Sequence, residues 1–568
     1  MTEDLRVNRR PSRAPGSVPG ILILSAGLLL GPGGAQAQGD HGARADAAGP
    51  VVLIGLGDSL THGTMDATNN WLNTLNAYLQ RVASSLSTQL PLHFQQPLYD
   101  VHEERIRPFG TPTNLGVDGS DSFSMAGIEY GKRVGSDQNK RSFSLLAERV
   151  QPSQLSDDYD KVIYPINLLA RRPMSQIGAA SWLLEKDVLD QGIGNALVIF
   201  WIGNNDSSGA ALGLGGKNPE LFPLPFDQIA TELKPELRLL LQLARSLNLA
   251  SYEPYLQSAI ERSLTDVADF EPQFNSLLDR LAAAGATSAI DTRIMVLTLP
   301  YYSAVGYLMD SEDIEYYLRK INPGYSVPAG FKRVAPDGEP IVDYLKGDRI
   351  SLLTFGLLYT LLSTGHTPLE VNQVLEQDGL VLSEAEAQFV MARIDAFNQV
   401  IRDSVAARDD RFQLIDIGQF LNRALAGDLA IIVNGQRLTR KWIRGGAFSF
   451  DGVHPGYVGQ TAVANFILGE INAAFGLNAP IYDLSPIHLT DPYIDRDGDG
   501  WASGPGYQPS GMNQFLFLFS DPNDADPAVQ ATLPPDVWDL ISDILLEELL
   551  GNEQIREEAR RRGLAGVR

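Results

Sequence analysis

A chain of 568 residues, 44% hydrophobic and 20% charged, can bury a large core and holds more than one domain's worth of sequence. Its formal charge of −24 argues against nucleic acid or anionic membrane surfaces as partners, since both require basic patches. With no cysteine, disulfides, thiol catalysis and a lipid-modified N-terminal cysteine are excluded, so stability must come from the core or from bound metal.

In chain order, Arg6, Arg9, Arg10 and Arg13 give a basic start, 21–30 is apolar, and Ala35-Gln36-Ala37 has the small residues of a cleavage site. Residues 1–37 therefore read as a signal peptide cleaved near Ala37, with the mature protein secreted or periplasmic and free of a transmembrane segment, ten apolar residues being too few to span a bilayer. A short polar leader, 38–49, precedes the continuous apolar run 51–56, the pattern of a strand covered on both faces. Trp71, Leu72, Leu75, Tyr78, Leu79 and Val82 recur at helical spacing behind the cap candidates Asn69 and Asn70. Further buried-strand runs are 196–202, 294–299 and 412–417; Phe274, Leu277, Leu278 and Leu281 mark a helix between the first two. Ser383 with Glu386 forms a capping box for a helix through Phe397.

Strands alternating with helices predict βαβ units and a parallel sheet covered on both faces. Three stretches exceed what such units need: 120–172, 207–268 and 301–380. The second contains an apolar helix, 237–249, which reads as a lid over a pocket or as an extra packing layer. After Pro480 the character changes to an Asp-rich segment, 479–535, followed by an amphipathic helix at 537–550 and a charged tail within 536–568.

The chemistry-bearing pattern begins at Gly57-Asp58-Ser59-Leu60, directly after the first strand, and is answered by Asp451-Gly452-Val453-His454. A serine becomes a nucleophile when an imidazole takes its proton and a carboxylate holds that imidazole. Of the seven histidines only His454 has an aspartate three residues before it, close enough for one loop to present both. Asp451 and His454 would also suit two positions of a metal site, but no third ligand is evident. His62, three residues past the serine, reads as a solvated loop residue in preference to a substrate contact.

Two further blocks stand between these motifs: Asn114-Leu115-Gly116-Val117-Asp118-Gly119, and Gly203-Asn204-Asn205-Asp206 after an apolar run. In this order the four blocks resemble the SGNH, or GDSL-type, hydrolase family over residues 50–478, with the three long stretches as unmatched insertions. The resemblance implies a three-layer α/β/α fold around a mainly parallel five-stranded sheet. It also implies Ser59 as nucleophile, His454 as general base, Asp451 as the group orienting the imidazole, and Gly119 and Asn205 as oxyanion donors. The expected activity is carboxylic ester hydrolysis through an acyl-enzyme, with an ester substrate carrying a lipid or acyl chain and no cofactor for the chemistry. Ser120 to Arg172 separates Gly119 from the helix expected soon after it; Ser175-Gln176 marks where that pattern resumes.

A second signal is independent of the first. Asp495, Asp497 and Asp499 occupy alternate positions of an oxygen-rich loop, with the Trp501 carbonyl at the seventh place and Gly506 where an EF-hand has glutamate. With the aspartates of 521–526, the segment is similar to calcium repeats of thrombospondin type 3 character, which implies a structural Ca2+. The other-class alternative is a secreted calcium-dependent binding protein whose hydrolase-like domain is inactive.

Overall fold

The structure, a computed structural model, describes residues 49–101, 104–106, 110–128, 130–133, 158–185, 192–212, 255, 257–287, 290–335, 345–363, 365–376, 379–507 and 520–529. The signal-peptide reading, the helix at 237–249 and everything after 529 lie outside the described residues.

Five parallel strands form the central sheet: β1 (Val51–Gly57), β2 (Leu92–His93), β3 (Asn195–Trp201), β4 (Asp291–Leu297) and β5 (Phe412–Ile415), in the order β2-β1-β3-β4-β5. Every residue of β1 is buried, as its unbroken apolar sequence requires of a strand with helices on both faces. The framing helices are α1 (Ser59–His62), α2 (Tyr78–Leu86), α3 (Gln176–Leu184), α4 (Val267–Thr287), α5 (Glu384–Ala406), α6 (Ile417–Leu425) and α7 (Tyr457–Phe475). On one face α7 packs against α2 and α6, and on the other α4 packs against α3 and α5. The result is the three-layer α/β/α fold, with a core running through all three layers.

Two of the boundaries that differ from the periodicity reading have a clear local cause. The stripe from Trp71 to Val82 is two helices, Trp71–Thr74 and α2, because Tyr78 donates its backbone N–H to the Gln460 side chain of α7 at 3.0 Å and so leaves the first helix's ladder. Trp71 and Leu75 are accordingly exposed. The run 412–417 stops as a strand at Ile415, because the Asp416 side chain caps α6 and accepts from Thr298 Oγ1 at 2.8 Å.

The 301–380 stretch builds a second core with later segments of the chain. Ile314, Tyr317, Leu318 and Phe355 pack with Trp442, Phe450, Tyr493 and Trp501. A buried ionic cluster ties the same parts together: Lys441 Nζ reaches Asp310 Oδ2 at 2.7 Å, Arg444 reaches Asp313 at 2.7 Å, and Arg440 also pairs with Asp310. Truncating one partner of such a cluster leaves a buried charge uncompensated, a loss of about 3–5 kcal/mol. No helix among the described residues is long and apolar enough to cross a membrane.

Candidate active site

The strand β1 ends at Gly57 because the chain must turn sharply there. A Cβ on Gly57 would stand 2.1 Å from Thr61 Oγ1 and 2.5 Å from the Trp201 carbonyl oxygen, so only glycine fits. Asp58 then caps α1, accepting the Leu60 N–H at 3.0 Å, and Ser59 becomes the first residue of the helix. Asn204 Nδ2 donates to the other Asp58 oxygen at 2.8 Å, tying the serine turn to the loop after β3. Burial pushes the Asp58 carboxyl up to about 7, against the opposing donors Asn204 and Leu60.

His454 reaches the same place from the loop before α7. Its Nε2 lies 2.8 Å from Ser59 Oγ and its Nδ1 lies 2.6 Å from Asp451 Oδ2. Asp451 is itself held on both oxygens. Oδ1 accepts from the backbone N–H groups of Val453 and His454, each at 2.8 Å, and from Ser449 Oγ at 3.0 Å; Oδ2 also accepts from Ala67 N at 2.8 Å. Burial alone would raise the Asp451 carboxyl, but the His454 contact and these N–H donors hold it below the ordinary range. His454 shows the complement: burial lowers it, the charges of Asp451, Asp118 and Asp58 raise it, and the net direction is up. The triad therefore keeps an ionised carboxylate behind an imidazole more basic than usual.

The side where oxyanion donors are expected is built from the segment 113–119, which runs beside the end of β1. Leu115 N donates to Gly55 O at 2.8 Å and Val117 N to Gly57 O at 3.2 Å. Gln176, buried at the start of α3, donates through Nε2 to Gly57 O at 2.8 Å and to Leu115 O at 2.7 Å. Gly119 follows at φ +69°, in the region that glycine tolerates best. Asn205 donates one amide hydrogen to Ser120 O at 2.9 Å and accepts from Ser208 Oγ at 2.9 Å, which fixes the amide plane and leaves its second hydrogen for another acceptor. Ser59, Gly119, Asn205, Asp451 and His454 all line one cavity of about 610 Å3. The structure thus brings together all five residues named for this chemistry.

The rest of that cavity is mostly apolar. Leu212, Val305, Phe420, Leu425, Ile431 and Leu438 line it, together with Trp201 and Tyr302. Besides Asp451 and Asp58, the carboxylate on its wall is Asp118, which accepts from Thr64 Oγ1 at 2.7 Å and Asn69 Nδ2 at 3.0 Å and contacts His62 Nδ1 at 3.2 Å. Burial would raise this carboxyl, but His62 and His454 with the Thr64 hydroxyl hold it well below the carboxylate range. His62 is thereby corrected: it is a buried side chain packed edge-on to Tyr99, not a solvated loop residue, because Asp118 supplies its polar partner. Asn204, Gln176 and Asp118 escaped the sequence reading as site residues. Asp58 was quoted as part of a motif without a role, and Asp206, which accepts from Ser122 and Thr265, anchors the Asn205 turn. Adjacent acids and amides inside already recognised motifs were the available signal.

The Asp-rich loop forms a second cluster apart from the cavity. Asp495, Asp497 and Asp499 do not converge as one ring; Asp495 and Asp497 gather with Asp524, and Asp497 and Asp499 gather with Asp521. Each set brings one carboxylate oxygen per residue to within 4.8 Å of the others, an arrangement that could hold a metal ion. Asp497 Oδ2, Asp499 Oδ2 and Asp521 Oδ2 are buried and find no hydrogen-bond partner among the described residues, as fits oxygens meant for a hard cation. Trp501 contributes its ring to the second core, and its N–H donates to Asp499 Oδ1 at 2.8 Å. Set against known proteins, the chain matches no family model and no curated sequence.

Proposed function

We propose that this chain is a secreted serine hydrolase of carboxylic esters, of the SGNH type that its four blocks resemble. The observation that carries the reading is the continuous relay from Asp451 through His454 to Ser59 on the wall of an apolar cavity. In the first step the Ser59 hydroxyl proton passes to His454 Nε2 while Oγ attacks the ester carbonyl carbon. The negative charge that develops on the carbonyl oxygen is taken up by the backbone N–H groups of Ser59 and Gly119 and by the free amide hydrogen of Asn205. Each such donor is worth about 3–4 kcal/mol in acyl transfer. His454 then hands its proton to the departing alkoxide, leaving an acyl group on Ser59. Water attacks the acyl-enzyme by the same route in reverse, with His454 again taking the proton, and the acid is released.

The cavity's lining favours an acyl chain over a small acetyl group. Each CH2 buried there contributes about 0.8 kcal/mol, up to about fourfold in kcat/KM. The Asp118 charge beside Gly119 disfavours anionic acyl groups. A series of p-nitrophenyl esters tests both statements: kcat/KM should climb from acetyl to medium chains, and Ser59→Ala should lower turnover roughly 10^6-fold. Persistent turnover in that variant would remove Ser59 as nucleophile, and a flat acyl-length profile would remove the acyl-chain assignment. For the cluster at 495–524 we propose structural Ca2+ held at one or both of its two carboxylate sets, Asp495, Asp497 and Asp524 and Asp497, Asp499 and Asp521.

A further inference from the structure

We propose that the turn at Asp66–Ala67 is a positioning clamp for the catalytic carboxylate, locked from behind by Tyr493 and Tyr507. The inference rests on the hydrolase reading above and adds residues that none of the four motifs contains.

Met65 and Thr68 exchange backbone hydrogen bonds, N to O at 3.1 and 2.9 Å, closing a two-residue turn. Both residues inside it stand at φ +54°. Two successive left-handed residues make a type I′ turn, whose favoured second residue is glycine; alanine there is strained. Such a conformation persists only where its surroundings over-determine it. Here the turn aims its two N–H groups at the catalytic loop. Ala67 N donates to Asp451 Oδ2 at 2.8 Å, the oxygen that faces His454. Asp66 N donates to Ser449 Oγ at 3.0 Å, and that hydroxyl donates to Asp451 Oδ1 at 3.0 Å. One turn therefore reaches both oxygens of Asp451, directly and through one hydroxyl.

The Asp66 side chain provides the anchor. It is fully buried, with Oδ1 accepting from Phe450 N at 2.8 Å and Oδ2 from Tyr493 Oη at 2.5 Å and Tyr507 Oη at 3.2 Å. Tyr507 Oη also takes the Asn73 Nδ2 hydrogen at 2.9 Å and lies 3.0 Å from Thr68 Oγ1, so it grips the turn twice. Asp66 touches neither His454 nor Ser59, and no proton transfer in the reaction needs it. Burial, with the Asp451 charge adding to it, pushes its carboxyl up to about 8, so near neutrality an asparagine reproduces its shape and charge. The segment after α7, set apart in the sequence by its composition, thereby fixes the geometry of the general base.

The test compares Asp66→Ala with Asp66→Asn on the preferred p-nitrophenyl ester. Asp66→Ala should lower kcat roughly 10- to 100-fold with KM changed less than about twofold, since a displaced Asp451 spoils the transition state and not substrate binding. Asp66→Asn should restore most of that kcat. Should Asp66→Ala fail to fold, Tyr493→Phe/Tyr507→Phe carries the same expectation, because it removes both hydroxyls and keeps the rings. Unchanged kcat, a loss confined to KM, or equal losses in the alanine and asparagine variants would overturn the clamp. The two failures are separable. Turnover that vanishes in Ser59→Ala but is undiminished in Asp66→Ala sinks only the clamp, whereas no turnover by the unaltered protein sinks the hydrolase reading.

Discussion

In the candidate catalytic cluster Asp451 meets five donors on its two oxygens, one from Ala67 far away in sequence and two from its own histidine, while in the 495–524 cluster three carboxylates each keep a buried oxygen with no partner among the described residues. Both are acidic groups taken out of water, and burial drives each carboxyl upward. What differs is the compensation. N–H and O–H groups compensate Asp451, so it stays ionised in a fixed place and can orient an imidazole. In the second cluster backbone N–H groups reach only one oxygen each of Asp497, Asp499 and Asp521, and a divalent cation is the compensation that the geometry of their bare Oδ2 atoms fits. An aspartate with donors on both oxygens is suited to orienting an imidazole, and a group of aspartates that each keep one bare oxygen could hold a metal ion.

The sharpest way to break this comparison is to remove the compensated charge. Asp451→Asn should lower kcat about 10^4-fold on the preferred ester, since the amide favours the wrong imidazole tautomer. A loss below tenfold would mean that the donors around Asp451 serve the fold alone. Asn205→Ala comes next, with an expected loss of about 10^2–10^3 in kcat and little change in KM. A smaller but more pointed effect lies in the pH profile. His454 acts as a base only when neutral, and its surrounding carboxylates raise its pKa, so kcat/KM should rise with pH through a midpoint above the ordinary imidazole value of about 6.5. A midpoint below that value would show burial, not Asp451, to dominate.

Much of this site was legible because the chemistry is tied to short motifs. Ser59 follows a run that can only be a buried strand, and Asp451 and His454 share one loop, so neither inference needed the fold. The four longer strand runs were legible for the same reason. The fifth, Leu92–His93, was not, since two partly exposed residues after Pro91 carry no periodic signal. Gln176 and Asp66 were hidden for a different reason. Their roles come from contacts across long separations, Gln176 to Gly57 and Asp66 to Phe450 and Tyr493, which no local pattern encodes. His62 misled because histidine in a polar stretch suggests solvent, and only the fold brings Asp118 to it.

The second cluster yields the smallest effect and the one with a change of sign. With Ca2+ at about 100 times its Kd, binding would add about 2.7 kcal/mol, so chelation should lower Tm by a few degrees. Asp497 belongs to both carboxylate sets and its charge raises Asp495, Asp499 and Asp521, though burial is the larger cause in each. Asp497→Asn should therefore abolish the calcium-dependent shift, yet match or exceed the unaltered protein in stability once chelator is present, because a repelling charge is gone. The pH dependence follows the same logic. Burial chiefly holds Asp499 at about 6 in the fold against 3.8 for its ordinary value, so the folded state binds the extra proton. That contribution is complete below pH 4 and is lost as pH rises through 6, and chelated protein should melt lower at pH 8 than at pH 5. Bound Ca2+ supplies the missing positive charge and should flatten this slope. Differential scanning fluorimetry at the two pH values, with and without Ca2+, reads both effects. If Asp497→Asn instead lowers Tm equally with and without Ca2+, the bare oxygens are not a cation site, and the contrast with Asp451 fails.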